Sequence, residues 1–114
     1  MNKLSTVVDM TGVNEGRPET DNPMTSFDVT ANVCKNIMFA YAQGTRGLTG
    51  EERKQYNRIC KALDEAIKGS LEVVELDDQD AGFLKKCRRE ARMMPSDVLE
   101  RVENNIDAMV RIKE

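Results

Sequence analysis

Residues 49–69, TGEERKQYNRICKALDEAIKG, restrict the fold more than any other stretch of the chain. Thr49-Gly50-Glu51-Glu52 has the spacing of a capping box. The Thr49 hydroxyl can accept from the amide three residues on, and the Glu52 carboxylate can reach back to the Thr49 amide. Behind the box, Tyr56, Ile59, Cys60, Leu63, Ala66 and Ile67 recur at helical spacing and form one stripe. Lys61–Glu65 and Asp64–Lys68 are opposite charges one turn apart on the wet side. Gly69 ends the pattern. A helix with so narrow an apolar stripe must bury it against other elements.

The neighbouring segments supply those elements. Asp28 is read as the cap of a first helix over 29–43, with Val29, Val33, Ile37, Ala40 and Tyr41 on one face and Gly44 as its left-handed stop. Asp77 caps a third helix. Asp78 and Asp80 follow where negative charge suits the helix dipole. Its apolar face is Phe83, Leu84, Cys87, Ala91 and Met94, and Pro95 ends it. A fourth helix starts at Pro95 or Ser96 and runs to about Ile112. Leu99, Val102, Ile106 and Met109 have the three-four-three spacing of a heptad seam, flanked by Val98 and Val110. Leu71 to Leu76, LEVVEL, is short and β-branched at its centre, so it reads as a strand. Val73 and Val74 would carry its pairing, either with residues 4–10 or with the same segment of a second chain. Residues 11–26, TGVNEGRPETDNPMTS, have no hydrophobic period. The expected fold is mostly α. An extended N-terminal arm (1–28, with a possible strand at 4–10) precedes a compact four-helix domain (29–114), with at most one or two short strands in all.

A chain of 114 residues holds one domain. Charged residues are 32% and hydrophobic ones 39%, so a soluble protein with a modest core is expected. No apolar run approaches the roughly 18–20 residues that span a bilayer, and the N-terminus lacks the apolar core of a secretory signal. The three cysteines are not paired at metal or redox spacing, which fits free thiols in a reducing cytoplasm. No membrane partner is expected.

Catalytic chemistry finds few parts. With no histidine there is no ready general base or triad. Cys87 falls on an apolar face, where a thiol is inert. Cys34, Cys60 and Cys87 read as small buried hydrophobes rather than a metal site. ELDDQDAG (75–82) misses the calcium-loop register. No cofactor, metal or catalytic residue is therefore expected, and the chain is read as a non-enzyme.

What remains are surfaces. Lys85, Arg88, Arg89 and Arg92 fall on one helical stripe opposite the apolar face. They would steer an acidic protein partner. The isoelectric point near 5.1, and the acids Glu100, Glu103 and Asp107 on the next helix, make nucleic acid the weaker alternative. Arg46, in the loop GTRGLTG, is a candidate anion contact, and a nucleotide or small-anion sponge at an oligomer interface is a third alternative. The seam Leu99, Val102, Ile106 and Met109 either closes the chain's own core or joins two copies.

The order of elements over about residues 48–112 resembles the small helical accessory proteins encoded by tailed bacteriophages. The resemblance is carried by EERKQYNRICKALDEAI, by the extended passage Val74, Glu75, Leu76 and by Asp77, Asp78, Asp80, Leu84 and Lys85. It implies a non-enzymatic role in assembly, or in modulating a host or phage machine, in the host cytoplasm or on the virion. It brings no catalytic residues with it. The expected function is thus a protein-binding accessory or assembly factor that forms homo-oligomers.

Overall fold

The computed structural model describes residues 2–13 and 24–109. Along them run β1 (Asn2–Ser5), α1 (Ser26–Gly44), α2 (Gly50–Gly69), β2 (Val73–Leu76), α3 (Asp78–Glu90) and α4 (Asp97–Asp107). The expected mostly α architecture is what the chain adopts, with two short antiparallel strands.

α2 forms as its cap and stripe dictate. The Glu52 amide donates to Thr49 Oγ1 at 3.1 Å, and the Thr49 amide donates to Glu52 Oε1 at 3.0 Å. Ile59, Leu63 and Ala66 are buried, with Tyr56, Cys60 and Ile67 at the margin. The helix ends at Gly69 as expected, and the left-handed residue that follows it is Ser70.

α1 starts earlier than expected, and its cap is Thr25 rather than Asp28. Thr25-Ser26-Phe27-Asp28 is a second capping box. Asp28 is its N3 member, and its Oδ2 accepts from the Thr25 amide at 2.9 Å. At the far end Gly44 is helical. The left-handed positions are Arg46 and Gly47, and Thr45 Oγ1 donates to Tyr41 O and Gly47 O to hold that turn.

α3 is capped by Asp77 as expected, with Asp77 Oδ1 accepting from the Asp80 amide at 2.7 Å. It stops at Glu90, short of Pro95. Residues 91–96 are spent crossing to α4, so Met94 leaves the apolar face and is 85% exposed. Ser96 caps α4, which ends at Asp107. The expected extension to Ile112 runs past Met109, beyond the described residues.

β1 pairs with β2 inside the chain, Leu4 opposite Val74 and Ser5 opposite Val73. The strand occupies 2–5, not 4–10. It ends because side chains take over the backbone groups: the Val7 amide donates to Ser5 Oγ, and Ser26 Oγ donates to Thr6 O. The first part of the expected arm is thereby built into the fold, while its 14–23 portion lies outside the described residues. The sheet's inner residues Leu4, Val74 and Leu76 join Ile37, Leu63, Leu84 and Ile106 in one core. Tyr41 and Phe83 meet edge to face in it, with ring centroids 5.9 Å apart.

Candidate functional site

The cations of α3 are largely engaged by the chain itself. Lys85 Nζ donates to Met109 O at 2.7 Å, placing a positive charge at the C-terminal end of α4, whose last turn has no basic residue. Arg88 Nε lies 3.0 Å from Asp107 Oδ1 and 3.6 Å from Glu103 Oε2. These are ion pairs without hydrogen-bond alignment. Arg89 faces solvent, and Arg92 is exposed beyond the end of the helix. The four residues of the expected steering stripe are thus placed differently. Lys85 and Arg88 fasten α3 to α4, and Arg89 and Arg92 are left at the surface. Glu103 and Asp107, two of the three α4 acids expected to repel phosphate, are the ion-pair partners of Arg88.

Lys86, on a different face, sits 3.7 Å from Glu52 Oε2 and 5.5 Å from the Tyr41 ring centroid. Tyr41 OH donates to Glu52 Oε2 at 2.8 Å. The Thr49 amide and the Tyr41 hydroxyl hold the Glu52 carboxyl below its ordinary value, while hydrogen bonding to Glu52 pushes the Tyr41 phenol up. This cluster ties the start of α2 to α1 and α3.

The heptad seam also points inward. Val102, Ile106 and Met109 are buried in the chain's own core, and Leu99 is half-buried. Within the chain the seam closes the core, which is one of its two expected alternatives. The stripe on α4 matches α1, α3 and β1 within the same chain.

The two edges of the sheet differ. The Thr6 amide donates to Glu72 O at 2.9 Å, which sets the alternation of the ladder. Lys3 and Ser5 on β1, and Val73 and Glu75 on β2, consequently turn their backbone N–H and C=O groups away from the partner strand. On the β1 side α4 covers the edge: Asn105 Nδ2 donates to Ser5 O at 3.4 Å and to Val7 O at 3.0 Å. On the β2 side the backbone groups of Val73 and Glu75 have no partner among the described residues. Leu71 and Val73 are 48% and 40% exposed there, beside a cleft of about 350 Å³ that Ala62 of α2 also lines. Val74 points inward, and only Val73 of the expected pairing residues faces outward.

Arg46 stands at the mouth of another cleft, of about 520 Å³, between the C-terminal half of α1 and the N-terminal half of α2. Phe39 on its wall is 59% exposed. Sequence reasoning passed over Phe39 and Arg53. The signal was available: Phe39 falls on the opposite side of α1 from Ile37 and Tyr41, an aromatic ring on a wet face.

The three thiols are poor nucleophiles. Burial pushes Cys34 and Cys87 up to about 12, and burial also raises Cys60. Among the described residues no group of three or more candidate ligands could hold a metal ion. No helix there is long and apolar enough to cross a membrane. No protein-family model, curated protein or solved structure matches the chain.

Proposed function

We propose that this chain is a non-enzymatic binding protein, an accessory or assembly factor of the kind tailed phages encode, that self-associates through the outer edge of β2. The observation that carries the proposal is the difference between the two sheet edges. α4 closes the β1 edge with Asn105, whereas the β2 edge keeps backbone groups that have no partner among the described residues, beside exposed Leu71 and Val73. A second copy added antiparallel, with its twofold axis at Val74, sets Val73 opposite the partner's Glu75. Each outward N–H then meets a carbonyl. Self-pairing of one patch is the commonest way to close an oligomer. The raised thiol values and the lack of histidine support binding over catalysis. The cytoplasm of a host cell, or a virion, is where such a factor would act.

Val73→Pro is the discriminating variant. Proline removes the Val73 N–H, but that group faces away from β1, so the internal ladder is preserved. Light scattering at high micromolar concentration should report an oligomer for the wild type and a monomer for Val73→Pro, with similar thermal midpoints. A monomeric wild type, or a variant that associates equally well, would rule the proposal out.

A further inference from the structure

We infer that the cleft between α1 and α2 is a docking site for an acidic amphipathic helix of a partner protein. This site is separate from the β2 edge, and the inference does not depend on self-association. Phe39 and Ala42 of α1 face Tyr56 of α2 across the cleft, Leu48 contributes from the connecting loop, and Arg46 and Arg53 stand at the rim. Among the described residues neither guanidinium has an ion-pair partner.

Arg46 occupies a position that is unfavourable within the chain alone. Arg46 has φ 61, a left-handed conformation that a non-glycine residue adopts at a cost. Thr45 Oγ1 donating to Gly47 O at 2.7 Å, and the Gly47 amide donating to Ala42 O at 2.7 Å, hold the turn in that form. Arg53 directly follows Glu51 and Glu52, the acids in the first turn of α2, and its side chain is exposed. Two exposed guanidiniums without an ion-pair partner among the described residues thus stand beside a cleft with apolar walls, in a chain whose net charge is −3. Carboxylates from outside complement that arrangement.

The helical form of the occupant follows from the walls. Both are helices whose backbone groups are internally bonded, so an extended segment laid between them would find no ladder to join. A helix satisfies its own backbone and offers side chains on one face. Apolar residues of that face would enter between Phe39 and Tyr56, and acidic residues beside them would reach Arg46 and Arg53.

Selection of yeast-displayed random peptides of about 15 residues, roughly four helical turns, against the full-length protein tests this. Selected sequences should pair Leu, Phe or Trp at helical spacing with Asp and Glu. Fluorescence anisotropy of those peptides should show binding weakened about tenfold or more by Arg46→Gly/Arg53→Gln and by Phe39→Ser. Val73→Pro should bind as the wild type does. Because glycine suits the left-handed position, the arginine variant keeps its melting temperature, so lost binding is not lost folding. The inference is overturned if selection yields no binders, if selected peptides lack acidic enrichment, or if they bind the variants equally well. It is also overturned if ATP, inorganic phosphate or a single-stranded oligonucleotide binds these arginines and displaces the peptides.

Discussion

At the scale of single residues, a charge can be read from the sequence but its partner cannot. Lys85 and Arg88 were legible as cations on the outer side of α3. That they meet Met109 O and Asp107 depends on where α4 returns, which angular spacing along one helix does not contain. Glu52 was legible as a capping residue; its second role, accepting from Tyr41 OH, joins residues on two helices. That role has a pH signature. The folded-state carboxyl is held below its ordinary 4.5, first by the Thr49 amide and then by the Tyr41 hydroxyl. A group depressed in this way contributes stability that is complete above the unfolded value and disappears as pH falls through the folded one. Urea unfolding of Glu52→Gln should therefore show lower stability than the wild type at neutral pH. The gap should close as the pH drops below about 4.5. A gap independent of pH would mean that the carboxylate's charge contributes nothing. In the same cluster, Thr49→Ala should cost about 1 kcal/mol in the same assay through the lost cap.

At the scale of elements, local rules located helices well and their ends less well. α2 and the cap of α3 follow from capping chemistry and apolar period alone. α1 starts before Asp28 because that residue can serve as a cap or as the N3 member of a box, and Thr25 three residues before it decides the matter. α3 is shorter than its expected extent because proline constrains only the residue before it, whereas the crossing to α4 consumes residues 91–96. The α4 seam shows the deeper limit. A three-four-three stripe specifies that a helix buries one face, not whose core receives it. Ile106 is fully buried among α1, α3 and β1. Ile106→Ala should thus lower unfolding free energy by about 3 kcal/mol while leaving the molar mass by light scattering unchanged. A change in oligomeric state at preserved stability would assign the seam to an interface.

At the scale of the whole molecule, the two ends of the described chain hold each other. β1 pairs with β2 more than 60 residues away in sequence, and Asn105 and Arg101 of α4 bond the backbone of Ser5, Val7, Asp9 and Thr11. By spacing alone the opening residues read as part of an arm, because they are short, polar in places and followed by a stretch without period. Their order comes from tertiary partners rather than from local propensity. Leu4 and Val8 are buried, as is Thr6, whose hydroxyl donates to Leu71 O at 2.6 Å. Burying two aliphatic side chains contributes about 4 kcal/mol, close to the roughly 5–15 kcal/mol that a small domain has in total. Removing residues 2–8 also uncovers Val74 and Leu76, strips β2 of its only ladder among the described residues, and leaves Asn105 with nothing to bond. A chain starting at Asp9 should then lose its cooperative thermal transition and near-ultraviolet circular dichroism while keeping much of its far-ultraviolet helical signal, because the capped helices form locally but their common core does not close. If that truncated chain instead melted cooperatively near the wild-type midpoint, the N-terminal strand would be an appendage, and the closure of the β1 edge, which leaves the β2 edge open among the described residues, would have no structural weight.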